Sequence, residues 1–234
     1  MEQSPPQVAR ETPPPFDFFK ASYLKEATTL TASSLHQLLT GVTLAPALSV
    51  FYHLHHHYFV HPEVLPTYPN EFAHWVGEVL GNGVVAEQLA NVNLFRATTL
   101  HDVRREITVL LAQYLTRHEE GHQAPVGREF IFCRPWFVVL PSGRRAATPR
   151  EFLAVLRDLE YASVAYHLFA PKVAPQGARN DFARWFAAWG YGALAKQLDS
   201  FDPYLNSLQD NRSYLAELIT TAVAAEETGG AAHA

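Results

Sequence analysis

The sequence predicts a mainly α-helical protein with minor β content, an α+β architecture made by internal duplication. Three observations predict it. Motifs of the first half recur in order in the second, each copy opens on an aromatic extended segment, and helix-start signals follow at matching places.

The repeats are read directly. SVFYHL at 49–54 returns as SVAYHL at 163–168, and NEFAHW at 70–75 as NDFARW at 180–185. AEQL at 86–89 returns as AKQL at 195–198, and TLHDVRREITVLL at 99–111 as SLQDNRSYLAELI at 207–219, with Leu, Asp and Arg in register. The offset drifts from 114 to 108, as small loop deletions would produce, and the offset of 114 also aligns FDFFK at 16–20 with FIFCR at 130–134. This divides the chain into a Pro-rich disordered N-terminus (1–14), copy one (15–116), a polar junction (117–128), copy two (129–223) and a flexible tail (224–234). The copies are expected to pack about a pseudo-twofold axis, because a unit of about 110 residues gains by burying a face against its twin.

Each copy is expected to hold a short aromatic strand and about four helices. Phe16-Asp-Phe-Phe and Phe130-Ile-Phe-Cys suit a strand, and Pro135 makes it an edge strand or short ribbon. Ser34 with Gln37, and Thr148 with Glu151 behind Pro149, read as capping boxes opening a helix. The helical pattern continues through FYHLHHHYF to Pro62, and in copy two to Pro171. Asn70 and Asn180 read as N-caps of the next helix, with Phe72, Trp75, Val76, Val79 and Leu80 on one face. A glycine turn, a helix through AEQL or AKQL, and a closing helix at 99–115 or 207–223 complete each copy.

Composition bounds the function classes. With 234 residues and 48% hydrophobic side chains the chain can bury a substantial core, and a net charge of −5 without a basic cluster argues against nucleic acid as partner. No secretory h-region and no long uninterrupted apolar run is present, and the single cysteine, Cys133, sits in an apolar segment, so a cytoplasmic, membrane-free setting is expected.

Several motifs invite chemistry and fail in context. GNGVVA (81–86) and GYGALA (190–195) fit a dinucleotide fingerprint, but helical periodicity precedes both where a strand is required, so a helix–turn–helix is expected. HEEGH (118–122) fits a zinc-protease pattern, yet it lies in a polar junction with Gly121 and Pro125 ending any helix. Asp102 with Arg105, and Asp210 with Arg212, recur as expected of helix-terminal electrostatics.

The histidines are unevenly distributed: eight of the twelve fall in copy one and one in copy two. In FYHLHHHYFVH (51–61), His53, His57 and His61 form a strip at helical i, i+4 and i+8 spacing, which allows adjacent imidazoles to reach one metal. His55 occupies the place of Phe169 and reads as a core histidine, His56 points away, and His53 recurs as His167, which suits a structural hydrogen bond. The candidate site is therefore a divalent transition metal on His53, His57 and His61, with His74 and Glu78 behind them.

The aromatic opening strand, FYHLH, PNEFAHWVGEVLG and FDPYLNSLQDNR together resemble an uncharacterised bacterial family, domain of unknown function 5752, from about Phe16 to Ile219. The resemblance implies a bacterial cytosolic protein with carbohydrate-active enzymes as genetic neighbours, and brings no activity, cofactor or catalytic residue. From the residues themselves two readings stand. One is a non-enzymatic binding or assembly module with a groove between the copies for an unidentified protein or small ligand; the other is a metal-dependent or acid-base enzyme on the copy-one histidines.

Overall fold

The computed structural model describes residues 12–95, 99–118, 121–169 and 180–231. Most of them are helical, and the β part is one two-stranded antiparallel ribbon. Strand β1 (Phe16–Ala32) leads into α1 (Leu35–Leu44), α2 (Ala47–Val60), α3 (Glu71–Glu78), α4 (Gly83–Ala90) and α5 (Leu100–Leu115). Strand β2 (Phe130–Ala146) leads into α6 (Pro149–Arg157), α7 (Tyr161–Phe169), α8 (Asp181–Ala188), α9 (Gly192–Ser200), a 3-10 turn (Pro203–Leu205) and α10 (Leu208–Ala231). Among the described residues no single helix is long and apolar enough to cross a membrane.

Three expectations change. The strands are not short but 17 residues each, because β1 and β2 pair with one another and so extend through Thr, Ala and Val until the next helix cap. Among the described residues five α-helices follow each strand, where about four were expected: α1 and α2 are bent by 118° at their junction instead of running on. The tail expected to be flexible from residue 224 continues α10 to Ala231, while the expected N-terminal disorder lies, up to residue 11, outside the described residues.

The ribbon register is the main feature of the fold. Tyr23 pairs with Phe137, Phe16 with Ala146, and Ala32 with Phe130. The start of β1 therefore lies beside the end of β2, and each strand runs from one half of the molecule to the other. Phe16 and Phe18 sit in the core of the second half among Phe152, Phe182 and Phe186, while Phe130 and Phe132 sit in the core of the first half with Leu38, Phe72 and Val76. A Cβ at Gly41 would run into the Phe132 ring, so this glycine admits the crossing strand against α1. Each half thus takes two phenylalanines from the other half's opening strand, while Ala32 and Ala146, at the strand ends, stay in the core of their own half.

Caps form where the sequence places them. Ser34 Oγ accepts from Gln37 N at 3.3 Å and Thr148 Oγ1 from Glu151 N at 3.2 Å, while Gln37 and Glu151 reach back one residue further, to Ser33 N and Ala147 N. Asn70 and Asn180 accept from Ala73 N and Phe182 N. Both glycine motifs are helix–turn–helix joints: Gly81 (φ 65°) and Gly190 (φ 90°) leave α3 and α8 in the left-handed region, and helices precede both.

Candidate functional site

Helix α2 carries the histidine segment, and the structure separates its members. The imidazole of His53 is buried against Phe72, Phe130 and Phe132. Its Nε2 accepts the backbone N–H of Cys133 on β2 at 3.0 Å. Nδ1 therefore carries the proton and donates to Glu71 Oε2 at 2.5 Å. In the second half His167 Nε2 accepts Phe19 N–H at 3.0 Å and Nδ1 donates to Asp181 Oδ2 at 3.0 Å. Each histidine thus ties a helix to the strand arriving from the opposite half, and a carboxylate at the first turn of the following helix holds its tautomer. Ser163 adds a bond from Oγ to Phe19 O at 2.6 Å, whereas the hydroxyl of Ser49, at the matching place, is buried without a hydrogen-bond partner among the described residues.

The predicted metal trio is dispersed. His53 is committed at both nitrogens, while His57 donates through Nε2 to Val64 O at 2.7 Å and lies beside His61, ring centroids 5.5 Å apart. His74 and Glu78 are exposed on α3, because Phe72, Trp75 and Val76 claim its buried face. Among the described residues no group of three His, Cys, Asp or Glu side chains is arranged to hold a metal ion. His56 does not point away: it is half-buried against Tyr52, with Nε2 3.6 Å from Glu71 Oε1. Burial holds its pKa below the ordinary 6.5 against the opposing pull of Glu71.

His55 is a core histidine, as expected. Its ring stacks on Phe51 at 4.0 Å, Nδ1 donates to Phe51 O at 2.8 Å, and Nε2 lies 2.9 Å from the Tyr204 hydroxyl. Tyr58 donates to Tyr204 O at 3.0 Å, and Phe169 stacks on Tyr204 at 5.1 Å. These side chains fill the seam where α2 meets α7 and the 3-10 turn. Burial pushes both tyrosines well above their ordinary pKa, so they act as neutral hydrogen-bonding groups.

Glu71 and Asp181 were not expected from the sequence. The signal lay in NEFAHW and NDFARW, where an acid recurs immediately after the capping asparagine. The expected pair of Arg105 with Asp102 forms at 3.5 Å on an exposed surface, while Arg104 Nη2 donates to Ala45 O at 2.7 Å and Arg212 Nη1 to Leu159 O at 2.9 Å. These are carbonyls at the ends of α1 and just past α6, so both arginines act at helix C-termini. Cys133 lends its backbone to the tie, its Sγ lies 3.6 Å from Ile131 O, and burial raises its thiol pKa, which disfavours a nucleophilic thiolate.

A cleft of about 410 Å³ opens in the first half between the α3–α4 turn and the end of α5, with Asn82, Gly83, Tyr114, His118 and His122 on its walls. His118 stacks on Tyr114 at 4.4 Å, and Asn82 Nδ2 donates to the Tyr114 hydroxyl at 2.9 Å. Of HEEGH, Glu119 and Glu120 lie outside the described residues; α5 has ended at Leu115, so His118 and His122 do not share the helix a zinc protease requires.

Residues 13–220 match the model of a family of unknown function, DUF5752. The chain belongs to that family. A similar solved structure is that of OrfY from Thermoproteus tenax, 32% identical, with a TM-score of 0.77 over 89% of this chain and 95% of that one. Among curated proteins none matches.

Proposed function

We propose that this DUF5752 protein is a non-enzymatic binding or assembly module, built by internal duplication about a pseudo-twofold axis through the Tyr23–Phe137 pair. The duplication is supported by ties that recur at positions 114 apart: Cys133 and Phe19 on the histidines, Arg128 and Pro14 as acceptors for Trp75 and Trp185, and Leu159 and Ala45 for the arginines.

The observation that carries the binding reading is the commitment of His53. A general base or ligand needs a nitrogen facing substrate or metal, and both nitrogens of His53 serve the ribbon and Glu71, as those of His167 serve the ribbon and Asp181. The seam between the halves is filled with aromatic rings, so the ligand surface is assigned to the cleft at Asn82, Tyr114, His118 and His122. An amide, a phenol and two imidazoles suit a small polar molecule rich in hydrogen-bonding oxygens.

Titration calorimetry of the full chain with inorganic phosphate and with a neutral disaccharide tests this. Binding of one probe that is lost in His118→Ala and Tyr114→Phe supports the reading; no heat from either probe, or binding indifferent to both substitutions, removes the cleft from it. A second reading keeps a metal on His57 and His61, favoured by their adjacent rings. Stoichiometric zinc in protein purified without a tag, lost in His57→Ala, would establish that site and count against the first reading.

A further inference from the structure

A second cleft, of about 390 Å³, adjoins the one at Asn82 and shares Val84, Tyr114 and His118 with it. Together they form one groove between α4 and the later turns of α5. On the α5 side Glu106, Val109, Gln113 and Arg117 follow one another at i, i+3, i+7 and i+11, and on the other side stand Val84 and Gln88, one turn apart on α4. Val84 is 61% exposed and Val109 46%, so the groove carries an apolar strip open to water. Its charges are sorted by position: Glu106 stands at one end, and Arg117, His118 and His122 gather at the other. Among the described residues, no ion pair or side-chain hydrogen bond occupies Glu106, Arg117, Gln88 or Gln113. At the matching places of the second half, Tyr214 stacks on Phe201 at 5.1 Å, and Ala225 and Glu226 stand for Arg117 and His118, so this separation of charge belongs to the first half.

We infer that this groove holds an extended peptide segment of a partner protein, with a basic residue at Glu106 and an acidic residue at Arg117, His118 and His122. Measured along α5, Glu106 and Arg117 lie roughly 16 Å apart, the reach of about five extended residues. A compact ion meets only one charged end, whereas a peptide bearing both charges meets the two together. The guanidinium and the imidazoles supply N–H donors to a carboxylate, and Glu106 accepts from an ammonium or guanidinium. Between the ends, a side-chain carboxamide offers both an N–H and a C=O, the complement of a peptide group, and Gln88 and Gln113 place one on each wall. Val84 and Val109 offer contact to apolar side chains of the same segment. The inference rests on the binding reading of the cleft and names what continues out of it along α5.

Panning a phage-displayed random peptide library on the immobilised full chain tests it, followed by fluorescence anisotropy with an enriched peptide. The expected enrichment is of sequences with a basic and an acidic residue about five positions apart. Such a peptide should bind Glu106→Lys and Arg117→Glu at least about tenfold more weakly than wild type. The circular-dichroism melting curve should not move in either variant, since both side chains are exposed. Against the double variant, the same peptide with its two charged residues exchanged should bind more tightly than the original, a rescue that depends on contact at both ends. No enrichment, enrichment without the paired charges, affinity indifferent to both substitutions, or absence of the rescue would each overturn the inference. Peptides that fail where phosphate or disaccharide still binds overturn it and leave the cleft reading intact; peptides that bind through Glu106 and Arg117 where neither small probe does support it.

Discussion

His53→Phe isolates what the histidine tie contributes. Phenylalanine keeps a ring among Phe72, Phe130 and Phe132, so the aromatic packing is largely preserved while both polar contacts disappear. The Cys133 N–H loses its acceptor, at a cost of about 1–2 kcal/mol for a part-buried donor. Glu71 loses one partner but keeps His56 at 3.6 Å and a third of its side chain in water, which limits that loss to roughly 0.5 kcal/mol. The expected sum is about 2 kcal/mol. His53→Ala adds a cavity beneath the ribbon and should cost about 3–4 kcal/mol. Urea denaturation followed by tryptophan fluorescence reads both, and because each core contains residues from both halves a single transition is expected. His167→Phe should behave like His53→Phe, and the two should add, since the ties share no partner. His61→Ala, at an exposed residue, is the control and should stay within about 0.5 kcal/mol of wild type. A His53→Phe midpoint equal to wild type, or a His61→Ala loss of the same size, would refute the reasoning.

Two further outcomes follow from the polar contacts. Arg104→Met and Arg212→Met should each cost about 1–2 kcal/mol in the same urea assay, because each frees a helix-end carbonyl, whereas Arg105→Met should change nothing measurable. The lowered pKa of His56 means that the unfolded chain binds its proton first, so this residue's contribution is fully present above pH 6.5 and is lost as pH falls through the lowered folded value. The urea midpoint of His56→Gln should therefore fall less steeply than wild type below that pH; identical pH profiles would contradict it.

The local layer of this fold was legible in the sequence. Caps at Ser34, Asn70, Thr148 and Asn180 and the turns at Gly81 and Gly190 each depend on chemistry within a few residues, and each lies where that chemistry puts it. The register of the ribbon depends on which distant strand arrives, and no local period encodes that, so β1 and β2 read as short edges instead of one long crossing pair. The bend between α1 and α2 has the same character. Pro46 marks it in the first half, but Glu160 stands at the matching place in the second and the helix breaks there too, between α6 and α7. What the two breaks share is an arginine, 59 residues downstream in the first half and 53 in the second, that donates to the carbonyl of Ala45 or Leu159. At the candidate site, the i, i+4 spacing correctly placed His57 beside His61. It could not tell that His53, one turn earlier, was already taken by a strand from the other half.

That crossing strand bears on where function can reside. On the duplication proposed above, Phe16, Phe18, Phe130 and Phe132 make each half complete the core of the other, so substitutions at the histidine ties, the tryptophan anchors or the arginine caps weaken both halves together. Such positions have little freedom to acquire a ligand. Freedom lies where the halves differ and the core does not depend on the outcome. In the first half α5 stops at Leu115 and leaves Tyr114, His118 and His122 around a cleft; in the second α10 runs on to Ala231, and Tyr191 stands where Asn82 lines the first. His53 and His167 therefore hold the fold, and on the reading proposed above it is His118 and His122, at the cleft of the first half, that would meet a ligand.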